Sequence, residues 1–183
     1  MVYLALLRGI NVGGNNKIEM GRLKLTFESI GCKKVTTYIN TGNIIFESDL
    51  QEPETLAGQL EKAILNDFRL AIKVLLRDAA AIAAICQGVP AQWVNDTTMK
   101  TDVMFLREQF DRPEVAQQLA IQEVDRVEYF PGAFVWNVDR EQVTRSGMMK
   151  LVGTTLYKHM TIRNINTVRK VYDIIRSYEN SPG

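Results

Sequence analysis

The chain has 183 residues, of which 46% are hydrophobic and 23% charged, and a formal net charge of +1. This is ordinary globular composition, sufficient for a buried core without disulfide or metal staples, and the charge balance gives no whole-molecule attraction to nucleic acid or to an anionic membrane. No stretch approaches the roughly 18 apolar residues of a membrane span, and the opening Met1-Val2-Tyr3-Leu4-Ala5-Leu6-Leu7-Arg8 lacks the basic start and the apolar length of a secretion signal, so the expected location is the cytoplasm.

Residues 2–8 form an apolar run that reads as a buried strand. A polar, glycine-rich loop comes next, Gly9-Ile10-Asn11-Val12-Gly13-Gly14-Asn15-Asn16. Met20, Leu23, Phe27 and Ile30 then recur at helical spacing, and Gly31 stands where a helix stops. Residues 34–39 are rich in β-branched side chains and read as a strand. Asn40-Thr41-Gly42-Asn43 is a turn signal, and Ile44-Ile45-Phe46 opens the partner strand. Pro53 can start a helix, with Leu56, Leu60, Ala63, Ile64 and Phe68 on one face. Ile72, Val74 and Leu76 alternate as a strand. An alanine-rich helix after Asp78 runs to the punctuation Gly88-Val89-Pro90.

The second half predicts a strand over 102–106, a short helix opened by Pro113, a strand over 126–130, a turn at Pro131-Gly132 and a strand over 134–138. A helix over 146–157, a strand over 160–163 and an amphipathic last helix on Val168, Val171, Tyr172 and Ile175 complete it. Each half thus reads β-α-β-β-α-β. The expected fold class is α+β, a tandem duplication of ferredoxin-like units with extra helices, divided into residues 1–88 and 89–183. Cys32 and Cys86 stand in no CxxC pair and near no histidine, so both read as reduced, buried thiols.

In such a unit the first and second strands run in the same direction and end at one edge. That brings Arg8, Asn11, Gly13 and Gly14 beside Asn40, Gly42 and Asn43. The amides and the positive dipole end of the first helix are expected there too, which suits an anion or a polar ligand. The same residues have a purely architectural reading as well, with glycines serving turns and asparagines bonding their own loops.

Three catalytic patterns fail. Gly9-x-x-x-x-Gly14 has P-loop spacing, but Asn15-Asn16 stands where Lys-Ser/Thr is required. His159 is the only histidine and has no neighbouring acid or nucleophile in sequence. The alternating Phe134 and Trp136 lack the basic and glycine residues of an RNA-stacking strand and read as core. No metal, no cofactor and no catalytic residue is assigned.

Arg8-Gly9-Ile10-Asn11-Val12-Gly13-Gly14, then Met20 and Leu23, then Thr37-Tyr38-Ile39-Asn40-Thr41-Gly42-Asn43 resemble the opening of family 1697 of the domains of unknown function, with Thr41 in place of the usual serine. Thr161-Ile162-Arg163-Asn164 with Thr167 resembles that family's Thr-x-Arg-Asn-x-x-Thr element, with Ile165 in place of a frequent tryptophan. The resemblance implies a bacterial-type cytosolic protein with a duplicated ferredoxin-like fold, and it implies no activity.

The leading expectation is a protein that binds a small polar or anionic molecule, such as a nucleotide or phosphorylated metabolite. Its site comprises Arg8, Asn11, Gly13, Gly14, Asn40, Gly42 and Asn43, joined by Arg163 and Asn164 if the repeats pack suitably. The rivals are a cofactor-independent enzyme at the same rim and a nucleic-acid or protein interaction module on a sheet face, with Arg126 and Arg140 flanking the Phe134/Trp136 strand. The sequence leaves open whether the chain is an enzyme and what its oligomeric state is.

Overall fold

In a computed structural model, which describes residues 1–50 and 52–179, eight strands form two four-stranded antiparallel sheets. The chain divides into two compact units, residues 1–80 with 171–183 and residues 81–170. Among the described residues no helix is long and apolar enough to cross a membrane.

The first sheet holds β1 (Val2–Leu7), β2 (Lys33–Tyr38), β3 (Asn43–Glu47) and β4 (Val74–Asp78) in the order β2-β3-β1-β4. Tyr3, Ala5 and Leu7 of β1 pack with Ile44, Phe46, Val74 and Leu76 against Leu23 and Phe27 of α1 (Met20–Ser29) and Leu56, Leu60 and Ile64 of α2 (Pro53–Phe68). Phe27 meets Phe46 edge-on at 5.3 Å between ring centroids. Leu4, Leu6, Ile45 and Leu75, which alternate with these, are buried too. A strand buried on both faces needs apolar residues throughout, which is why β1 reads as an unbroken run. Gly31, at φ 91°, lets the Cys32 amide turn back to Phe27 O and ends α1.

The second sheet holds β5 (Met99–Leu106), β6 (Arg126–Phe130), β7 (Ala133–Asp139) and β8 (Met160–Asn164) in the order β6-β7-β5-β8. Phe134 and Trp136 lie in its core with Met104, Leu106 and Met160, covered by Val115, Met148 and Leu151. They are therefore closed to a stacking partner. α3 (Ala79–Gly88) ends against β6, where a Cβ on Gly88 would lie 2.4 Å from Phe130. α4 (Ile165–Glu179) buries Val168, Val171 and Ile175 of the expected stripe, while its fourth member, Tyr172, is half-buried.

Two expected helices of this half take another form. The one opened by Pro113 is a 3-10 helix, Pro113–Gln118, and residues 146–157 hold two 3-10 pieces, Gly147–Gly153 and Leu156–His159. Ser146 does cap, accepting from Met148 N, but Asp125 takes the Ser146 hydroxyl at 2.5 Å and the Gly147 amide at 2.9 Å. A Cβ on Gly147 would stand 1.7 Å from Ala120 O. The chain is tied at its first turn to a neighbouring loop, and Gly153 with two threonines breaks the segment again before Leu156.

The sheets share one register. Tyr3 faces Asp78 and Leu7 faces Val74, as Asp102 faces Asn164 and Leu106 faces Met160. Leu7 N donates to Gly42 O at 2.9 Å and Leu106 N to Gly132 O at 2.9 Å; Arg8 N reaches Lys73 O at 3.3 Å and Arg107 N reaches His159 O at 3.2 Å. Cys32 is buried and Cys86 half-buried, both as free thiols.

Candidate functional site

The loop after β1 closes on itself first. Val12 and Asn15 form a bridge around Gly13-Gly14, whose φ of 58° and 79° only glycine adopts cheaply. Asn11 N donates to Asn16 O at 3.1 Å, and Asn16 Nδ2 returns to Gly9 O at 2.8 Å. Asn11, itself left-handed at φ 53°, is the fastener. Its Oδ1 accepts from Ile18 N at 2.8 Å, and its Nδ2 donates to Ile18 O at 2.9 Å and to Asn40 O at 2.8 Å.

That last bond joins the loop to the hairpin between β2 and β3. A second joint is steric: a Cβ on Gly42, at φ 87°, would lie 2.7 Å from Leu7 Cβ and 3.0 Å from Ile10 Cδ1. The structure therefore brings Arg8, Asn11, Gly13, Gly14, Asn40, Gly42 and Asn43 together in one unit. They divide by role. Asn43 is fully buried and donates to Tyr38 O and Thr41 Oγ1, each at 3.1 Å. Asn11 is spent on the frame. Gly13, Gly14 and Asn40 are exposed, and Arg8 is half-buried and hydrogen-bonded. Among the described residues the amides of Gly13 and Gly14 and the side chain of Asn40 have no hydrogen-bond partner.

The end of α1 differs from its expected role. The carboxylate of Glu19 accepts from Gly21 N at 2.8 Å and from Arg22 N at 2.7 Å, so this helix N-terminus already carries an anion from its own chain. Sequence reasoning also missed Ile39, which adopts φ 50° beside Asn40 and is 46% exposed. A β-branched residue in the left-handed region is strained by about 1–2 kcal/mol. Asn40 and Gly42, the residues that commonly take such turns, masked it.

Arg163 and Asn164 lie in the second unit. Burial pushes the Arg163 guanidinium down to about 10, where it stays charged at neutral pH, and its Nη1 donates to Ile162 O at 2.9 Å. Asn164 caps α4, its Oδ1 accepting from Thr167 N at 2.9 Å. The equivalent pair in the first sheet is Arg77-Asp78, and Arg77 Nη1 likewise donates to the carbonyl before it, Leu76 O, at 2.7 Å. Arg126 binds Asn137 Oδ1 on the face away from Trp136. His159 stacks on Phe110 at 4.5 Å between ring centroids. Among the described residues no three His, Cys, Asp or Glu side chains group as metal ligands.

No curated protein matches the chain. A solved structure, that of the conserved bacterial protein SP0830 from Streptococcus pneumoniae, is similar over 94% of this chain and 97% of its own, at 29% identity and a TM-score of 0.80. The family described as Protein of unknown function (DUF1697) matches residues 1–136, and the chain belongs to that family.

Proposed function

We propose that the chain binds a small polar, anionic molecule, a nucleotide or phosphorylated metabolite, at the rim formed by the loop after β1 and the β2–β3 hairpin. The observation that carries this reading is the bond from Asn11 Nδ2 to Asn40 O. It fuses two loops into one surface and costs neither the Asn40 side chain nor the Gly13 and Gly14 amides. Asn11, Gly42 and Asn43 build the frame; Asn40, Gly13, Gly14 and Arg8 face the ligand. The strained Ile39 supports the reading, because backbone strain held in place by its surroundings collects at ligand clamps. Arg163 and Asn164 close β8 at the end of their own sheet away from Leu106, and we assign Asn164 to positioning α4.

The fold behind this site is, in our reading, a tandem pair of ferredoxin-like units in a cytoplasmic, bacterial-type protein. The shared strand order and shared register support it.

A thermal-shift screen over nucleotides, sugar phosphates, carboxylates and short RNAs tests the function. A ligand at 100 times its Kd stabilises by about 2.7 kcal/mol, and Asn40→Ala should abolish the response while leaving the ligand-free midpoint near that of the wild type. A hit that survives Asn40→Ala puts the ligand elsewhere and defeats the reading. Turnover of a hit would favour the enzymatic alternative at the same rim.

A further inference from the structure

The second unit holds two hydrogen-bond-donating side chains that the first rim does not use. β5 and β8 pair Leu106 with Met160, and one step further Arg107 N donates to His159 O at 3.2 Å, so Arg107 and His159 stand opposite each other at the end of the ladder. Residues opposite each other in an antiparallel ladder send their side chains to the same side, with Cβ atoms about 4.5–5.5 Å apart. The chain then turns back through the 3-10 helix Glu108–Phe110, where Phe110 N donates to Arg107 O at 2.8 Å. The Phe110 ring lies on the His159 imidazole at 4.5 Å between centroids, 31° from parallel. This stack covers one face of the imidazole and fixes its plane, and it leaves the ring nitrogens at the uncovered edge.

Neither head group is occupied. Arg107 and His159 are half-buried, and among the described residues no hydrogen bond or ion pair reaches the guanidinium or the imidazole nitrogens. The carboxylates next to them in sequence are committed elsewhere. Asp111 Oδ1 accepts from Gly132 N at 2.7 Å and from Tyr129 Oη at 2.9 Å, and Glu108 bonds to neither Arg107 nor His159. A guanidinium drawn partly out of water ordinarily finds an acceptor within its own fold, because its five donors are costly to leave unmade. Here a planar fork and an oriented imidazole stand side by side without one, and that donor set suits a carboxylate or phosphate group.

We propose that Arg107 and His159 form an anion site in the second unit, which takes a carboxylate or phosphate group of a small molecule. The guanidinium grips two of its oxygens and the imidazole N–H donates to one. The site lies wholly in the second unit and is independent of the first rim.

The chain has a single histidine, so its imidazole gives one set of ring resonances. Sodium phosphate, sodium acetate and sodium chloride are titrated into the folded wild type at matched ionic strength and constant pH, with those resonances followed. Phosphate or acetate should shift them saturably where chloride does not, and the tighter of the two identifies the group. Arg107→Ala should weaken that binding about tenfold or more. Arg107→Lys, which keeps the charge without the fork, should fall between the two. An equal response to chloride, no response to any salt, or a response that survives Arg107→Ala overturns the proposal. Should Arg107→Ala fail to fold, Arg107→Lys decides, and unchanged affinity in it overturns the proposal. Asn40→Ala should leave the His159 response intact; its loss there would put the anion at the first rim and overturn the second site. A silent His159 beside a ligand response that depends on Asn40 leaves the reading of the first rim standing and removes this one.

Discussion

Asn43 and Asn40 are three residues apart and have opposite fates. The Asn43 amide is fully buried and holds the hairpin closed through Tyr38 O and Thr41 Oγ1. Removing a buried donor leaves its acceptors unsatisfied, so Asn43→Ala should cost about 1–3 kcal/mol, seen as a lower urea midpoint at unchanged slope. Gly42→Ala should cost more, about 2–4 kcal/mol, because a Cβ there adds left-handed strain and presses on Leu7, whose Cβ would be 2.7 Å away. A loss below about 1 kcal/mol would mean that the hairpin does not need to seat on β1 as described. The density of Asn and Gly in the sequence was enough to find both loops. It was not enough to sort frame from surface, because Asn11 and Asn40 differ only in what lies opposite them, and the partner of Asn11 is the backbone of Ile18.

At the scale of elements, the strands were legible and the 3-10 segments were not. β1 announces itself because burial on both faces leaves few polar positions to confuse the pattern, whereas β5 does so only in its second half, its first half carrying Lys100, Thr101 and Asp102. Residues 147–159 carry the apolar spacing of a helix, yet the knot at Asp125 decides their form. Burial pushes the Asp125 carboxyl up, but hydrogen bonds from Ser146 and from the Gln122 and Gly147 amides outweigh it and hold the group below its ordinary value. A carboxyl lowered by folding contributes stability that is full above its unfolded value, about pH 3.9, and is lost as pH falls through the folded one. Asp125→Asn should therefore lose stability less steeply than the wild type below about pH 4. An identical acid limb would show that these bonds persist in the unfolded chain or do not form. The junction from β8 to α4 allows a simpler test. Asn164→Ala removes a cap that accepts from Thr167 N and should cost about 1 kcal/mol, with the loss of amide protection concentrated in the first turn of α4.

For the whole molecule, the repeat was visible in the order of elements and hidden in the residues. The sheets share registers and few letters: Leu-Arg at the ends of β1 and β5, glycine before β3 and β7, and Arg-Asx before α3 and α4. Burial patterns survive substitution among apolar residues, so a register can persist after sequence likeness has gone. The same buried strands and helices set an upper pH bound on the fold. Burial pushes the Cys32 thiol from 9.0 to about 11, and burial also raises Tyr3 and Tyr178. An acid whose folded value is raised contributes stability that is complete below its unfolded value and falls as pH climbs towards the folded one. Cys32 enters that window first, near pH 9, ahead of the tyrosines, whose ordinary value is 10.0. Arg163 acts in the opposite sense, but only above about 10, where its lowered value begins to matter. Between pH 9 and 10 the thiol thus dominates the slope. The urea midpoint of the wild type should fall across that interval, and Cys32→Ala, although less stable at pH 7 through lost packing, should fall less. Parallel declines in the two proteins would assign the alkaline limit to other groups and would mean that water reaches Cys32 in the folded state.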